Sequence, residues 1–211
     1  MPGGRGTIKS HLSRNHNGQS GPVQHTARAF ATNGDTQAQT LTKQAKPAAR
    51  QTDGTVREAI HALKYGDRPD VARRLATLLE APAQLVTSGT RPIVVPIALH
   101  PRRLDARGYD QSGLLAANLA RDCEWSMVAA LTRVRDTPTQ VGLGRVARRT
   151  NVAGAFTATM RLDGMHILLV DDVLTTGATL TEAARTCRAA GAASVVATCL
   201  ACNVADANPT P

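Results

Sequence analysis

One stretch constrains the fold more than any other. His166-Ile167-Leu168-Leu169-Val170-Asp171-Asp172 is a nearly unbroken apolar run ending in two acids, followed by a Thr/Gly-rich turn and then a helical pattern from Thr179 to Ala190. A uniformly apolar strand is one covered on both faces. Thr179 and Glu182 stand at the S/T-x-x-E spacing of a capping box, and Gly191 suits a helix stop. Ser194 to Leu200 supplies a second strand. Strand, helix and strand with so short a connection form a parallel βαβ unit.

The rest of the chain from Asp53 continues that alternation. Asp53 is placed to cap a helix running to Tyr65, with Val56, Ile60 and Leu63 on one face and Gly66 closing it. After Pro69 a second helix directs Val71, Leu75, Leu78 and Leu79 inward and Arg73, Arg74 and Glu80 outward. Ile93 to Ile97 is a short buried strand with Pro96 at its end, where a missing amide costs least. Gln111 to Arg121 reads as a helix, Met127 to Val134 as a strand, and Thr139 to Arg149 as a weaker helix or mobile loop. The expected class is α/β with an open parallel sheet, whose ligands bind beyond the carboxyl ends of the strands.

Composition sharpens this. Hydrophobic residues make up 42% of the 211 but aromatics only 2%, so the core is built from Ala, Val, Leu and Ile, with little material for stacking on nucleic-acid bases. The net charge of +9 suggests a polyanionic partner, yet +6 of it lies in residues 1–50, a stretch of disordered-tail composition. No apolar run suits a secretory signal or a membrane span, which points to a soluble, cytoplasmic protein. The cysteines, Cys123, Cys187, Cys199 and Cys202, read as small buried thiols; the lone CxxC at 199–202 ends a strand and lacks partners for a zinc site. The expected organisation is a basic tail over 1–52, one domain over 53–204 and a disordered end over 205–211.

The βαβ unit puts Asp171-Asp172-Val173-Leu174-Thr175-Thr176-Gly177-Ala178-Thr179 at the binding edge. Three threonine hydroxyls, a glycine admitting close backbone approach and a helix N-terminus together suit a phosphate. Adjacent carboxylates accept hydrogen bonds from a ribose diol and hold Mg²⁺ through oxygen. Phosphate beside diol describes a ribose 5-phosphate.

Val170 to Thr179 resembles the signature by which type I phosphoribosyltransferases bind phosphoribosyl pyrophosphate (PRPP). Further blocks resemble the ComF branch of competence-associated proteins. They are Ala62-Leu63-Lys64-Tyr65-Gly66; Val95-Pro96-Ile97 with Arg102, Arg103 and Arg107-Gly108-Tyr109-Asp110-Gln111; and Arg133 with Thr137, Gln140, Leu143, Arg148 and Asn151 before Ala155-Phe156. The resemblance covers residues 53 to 202 and implies the type I phosphoribosyltransferase fold. It implies that Asp171 and Asp172 bind the ribose hydroxyls as the catalytic pair and that Thr175 to Thr179 take the 5-phosphate. Arg102, Arg103, Arg107 and Lys64 would face pyrophosphate, and a hood over Thr137 to Asn151 would bring Gln140 and Arg148. Mg²⁺ would arrive with PRPP, touching Asp171 and Asp172, without a protein cage. His100 is a weak candidate base beside its reading as a structural residue, while His61 and His166 read as structural.

Two departures from the family pattern stand out. No cysteine precedes Cys123, so the zinc knuckle common among ComF-like proteins is not expected, and Asp110 stands where the family usually has Asn. Three functions follow from the resemblance: a PRPP-binding protein of DNA uptake and natural transformation that contacts single-stranded DNA, a metabolic phosphoribosyltransferase salvaging a nucleobase, and a PRPP-sensing module without turnover. Among aromatic residues Tyr109 is the candidate for stacking on a base.

Overall fold

The computed structural model describes residues 28–32, 54–136 and 152–202. Its centre is a five-stranded sheet in the order β1-β7-β6-β2-β3, with β1 Arg28–Thr32, β2 Ile93–Pro96, β3 Ser126–Met127, β6 His166–Leu174 and β7 Ser194–Cys202. The four strands from β7 to β3 run parallel, as expected of an open α/β sheet, and β1 adds an antiparallel edge. A separate two-stranded ribbon joins β4 Leu131–Arg133 to β5 Phe156–Ala158.

Alternation along β6 separates two cores. Leu168 and Val170 face one side, packing with Val56, Ile60 and Leu63 of α1 (Gly54–Tyr65), Leu75 and Leu79 of α2 (Val71–Thr87) and Leu115 and Leu119 of α4 (Gln111–Asp122). Ile167 and Leu169 face the other, against Leu180, Ala183 and Cys187 of α5 (Ala178–Ala189) and against Leu131 and Phe156 of the ribbon. A strand with both faces covered must be apolar throughout, which is why 167–170 carries four fully buried aliphatic side chains in a row.

The chain leaves β2 through α3 (Pro101–Arg107) and α4 to reach β3 on one side, and leaves β6 through α5 to reach β7 on the other. The order therefore reverses between β2 and β6, and their carboxyl ends flank a crevice. β2 is last paired at Pro96, opposite Val170, whereas β6 runs on to Leu174 beside β7. Asp171 and Asp172 thus extend beyond the end of β2, at the mouth of that crevice.

Several sequence expectations change in detail. The acids lie within β6 rather than at its end, because β7 continues the ladder to Leu174↔Cys202 and leaves only Thr175–Gly177 as the turn. The expected strand Met127–Val134 is two strands in two sheets: the Ala130 amide donates to the Val128 carbonyl at 2.9 Å in a tight turn that redirects the chain into the ribbon. The capping box does not form. Gly177, in the left-handed region at φ +76°, is the N-cap of α5, so Thr179 is already inside the helix and Glu182 too far along to reach back. Within the stretch read as tail, Arg28–Thr32 is a sheet strand. Asp53, the segment from Thr137 to Asn151 with Gln140 and Arg148, and residues 203–211 lie outside the described residues.

Candidate functional site: a paired-carboxylate crevice

Asp172 shares the β6 face of Leu168 and Val170, the side covered by α1, and is 8% exposed. Lys64, in the last turn of α1, meets it there, with Nζ 2.8 Å from Oδ2. Lys64, expected to face pyrophosphate, is thus paired with the second acid of the Asp171-Asp172 pair. The helix end that carries it is fixed from outside, because the Tyr109 hydroxyl donates to the Leu63 carbonyl at 2.7 Å.

Asp171 is held differently. Its Oδ1 accepts the Ser112 hydroxyl at 3.1 Å and the Asp172 amide at 2.9 Å. Ser112 reaches it because α4 begins against the crevice: Asp110 is the N-cap, its Oδ1 accepting the Ser112 amide at 3.1 Å. Asp110 thus caps α4, a duty open to Asn as well, since either side chain accepts at a helix start. Burial, followed by the repulsion of Asp172, pushes the Asp171 carboxyl up to about 7, while the Asp172 amide, Lys64 and Ser112 oppose that rise. Burial also raises Asp110, with Asp172 adding to the effect. Two acids held side by side against burial and mutual repulsion carry a cost that packing alone does not explain.

The cations divide into separate roles. Arg102, Arg103 and Arg107 lie on α3, the short helix that follows β2. Arg107 donates to Gln111 Oε1 at 3.0 Å and sits 5.3 Å over the Tyr65 ring, linking α3, α4 and α1. Arg103 pairs with Asp136 at 3.4 Å, the last described residue before the stretch expected to form a hood. Arg102 is exposed, and its amide donates to His100 Nδ1 at 3.3 Å. His100 is accordingly the N-cap of α3, a structural duty. Arg133 is half-buried 5.4 Å over Phe156; burial and then Arg103 lower its guanidinium, with Asp171 and Asp136 acting the other way.

On the other side of the acids, Thr175, Thr176 and Gly177 make the turn into α5, and the Ala178 amide approaches Thr176 Oγ1 at 3.5 Å. The first amides of a helix have no carbonyl partners within it and point toward the crevice end, where the dipole favours an anion. Glu182, one turn into α5, accepts the Gly154 amide at 2.8 Å and pairs with Arg185 at 2.7 Å, tying the chain just before β5 to this helix. Ser112 and Glu182 were not legible as site-supporting residues in the sequence. For Ser112 a signal existed, its position one residue beyond the Arg107-to-Gln111 block.

A family model described as the phosphoribosyl transferase domain matches residues 83–210. The chain belongs to that family. Two enterobacterial relatives share the name DNA utilization protein YhgH. The one from Escherichia coli O157:H7 is 38% identical over 147 residues, and the one from Salmonella typhi 37% over 147 residues; each alignment spans 67% of this chain and 64% of the relative. Competence protein F of Haemophilus influenzae is 36% identical over 105 residues, 46% of this chain and 44% of that protein. The chain is thus a ComF-like phosphoribosyltransferase-domain protein that spans less than two thirds of the length of these relatives. Among the described residues no helix is long and apolar enough to cross a membrane, and no group of three or more His, Cys, Asp or Glu side chains is placed to hold a metal.

Proposed function

We propose that this chain binds PRPP, and that it does so as part of DNA uptake. The observation that carries the ribose phosphate is the Asp171-Asp172 pair standing past the end of β2, with five residues between Asp172 and Ala178, the first residue of α5. In this reading the two carboxylates accept the ribose hydroxyls. The Thr175–Gly177 turn and the first residues of α5, Ala178 and Thr179, take the 5-phosphate, and Arg102 and Arg103 on α3 face the pyrophosphate, while Arg107 is held by Gln111 against Tyr65. Lys64 yields part of its hold on Asp172 when the diol arrives.

Mg²⁺ fits this donor set as a companion of the ligand. The acids offer hard oxygen, and two carboxylates do not make a protein cage, so most of the ion's ligands would be phosphate and hydroxyl oxygens of PRPP and water. When bound, it would supply charge stabilisation to the pyrophosphate. The protein's own contribution to pentosyl transfer would be placement of the ribose and cations around the departing charge, without a covalent intermediate. The names of the relatives, DNA utilization protein and Competence protein F, support the assignment to DNA uptake.

A pyrophosphate-release assay with PRPP, Mg²⁺ and a panel of nucleobases tests the catalytic part. Release that depends on one base identifies a salvage enzyme; saturable PRPP binding without base-dependent release identifies a sensing module. Absence of PRPP binding removes the proposal. Binding of single-stranded DNA that weakens steeply with salt supports the uptake role, and failure to bind it at low salt removes direct DNA contact.

A further inference from the structure

We infer that Tyr65, with Arg107, forms a stacking step for a nucleobase beside the ribose crevice. Low aromatic content argues against an extended base-binding platform, and from sequence Tyr109 is only an aromatic that could serve. The structure engages one tyrosine and exposes the other. Tyr109 is engaged, its hydroxyl bonded to Leu63 and its ring packed against the core. Tyr65 is 66% exposed at the end of α1, directly after the lysine that meets Asp172.

The neighbours of Tyr65 are those of a recognition surface rather than of a stray apolar side chain. The Arg107 guanidinium lies 5.3 Å from its ring centroid and is held there by Gln111 at 3.0 Å. Gln111 is itself 2% exposed, so the arginine is anchored to a fixed point. The His61 ring stands 5.0 Å away, tilted by 50°. A base offers a flat π-face that stacks on tyrosine and on a guanidinium plane, and a planar cation positioned in advance lowers the ordering cost of that contact. A phosphate or pyrophosphate alone would need the arginine but not the exposed ring.

The chemistry recognised is the nucleobase, whether carried by a free nucleoside or by a single strand. The placement beside the acids rests on the ribose-phosphate reading above, but the stacking itself is measurable without PRPP. The test uses the full chain as wild type, Tyr65→Phe and Tyr65→Ala. Fluorescence anisotropy compares a labelled oligothymidylate with an abasic strand of the same length, and a second arm titrates free nucleosides. The wild type is expected to bind one of these bases about 5- to 150-fold better than its base-free counterpart, the range equivalent to stacking one base. Tyr65→Phe keeps that preference and Tyr65→Ala loses it. The salt dependence stays the same in all three, because no phosphate contact changes.

A preference seen with the strand alone assigns the site to nucleic acid, and one seen with nucleosides assigns it to a small acceptor. A preference that survives in Tyr65→Ala, or no preference in the wild type in either arm, overturns the inference. PRPP titration of Tyr65→Ala separates the two proposals. Intact PRPP binding with lost base preference is the expected pair, whereas loss of both shows that Tyr65 supports the crevice instead of stacking on a base.

Discussion

Replacing Asp171 by Asn should make the protein more stable at neutral pH while weakening its ligand binding. In the folded chain this carboxyl keeps its proton up to about 7, whereas an ordinary Asp releases it near 3.8. Between those values the folded state binds more protons than the unfolded one, so stability falls as pH rises from about 4 to about 7 and levels off above. Each unit of difference corresponds to about 1.4 kcal/mol, which sets a ceiling of about 4 kcal/mol for the cost of ionising Asp171 in place. Relaxation of Lys64 and entry of water reduce that, so a gain of about 1–3 kcal/mol is expected at pH 8. Asn preserves the carbonyl oxygen that accepts Ser112 and the Asp172 amide, so hydrogen bonding is not the variable. For a domain of this size the gain raises the melting temperature by roughly 3–9 °C. Thermal melts of both proteins without PRPP or Mg²⁺, from pH 4 to pH 8, check this. The curves should converge near pH 4 and separate with rising pH. A variant equally stable, or less stable, at pH 8 refutes the argument that the acids are held together against their own repulsion.

Two further substitutions probe the supports of the crevice. Ser112→Ala removes the hydroxyl from Asp171, should raise that carboxyl further, and should weaken PRPP binding about 5- to 10-fold for the loss of about 1 kcal/mol of hydrogen bonding, read by calorimetric titration. Glu182 is held below its ordinary value of 4.5 by Arg185 and the Gly154 amide, so its contribution is complete above that value and is lost as pH falls through the lower folded one. Glu182→Gln should therefore cost about 1–2 kcal/mol in denaturant melts at pH 7 and much less at pH 3; a deficit that does not shrink on acidification would count against the ionised tie.

The parallel unit from His166 to Cys202 was legible because its signals are local: a continuous apolar run, a glycine-bearing turn and a helical period. The two acids stood out for the same reason. What escaped depends on partners distant in sequence. β1 owes its identity to pairing with β7, from Arg28↔Cys199 to Thr32↔Val195, and nothing in its own composition announces that pairing. The division of Met127–Val134 between two sheets is likewise set by where Val94 and Ala158 lie, not by anything in the segment itself. Thr179 and Glu182 matched a capping pattern, but the left-handed Gly177 begins the helix earlier and frees Glu182 for Gly154. The contrast between the tyrosines follows the same rule. Sequence marks both as aromatic, and only the packing of α1 against the α3–α4 junction decides which is engaged and which exposed.

The central claim is that Asp171 and Asp172 are a ribose site, and calorimetric titration of PRPP with Mg²⁺ into the full chain tests it most directly. Saturable binding by the wild type, weakened at least tenfold in Asp171→Asn combined with Asp172→Asn while circular dichroism shows the fold retained, is the result this structure predicts. Equal affinity in the folded double variant would contradict it.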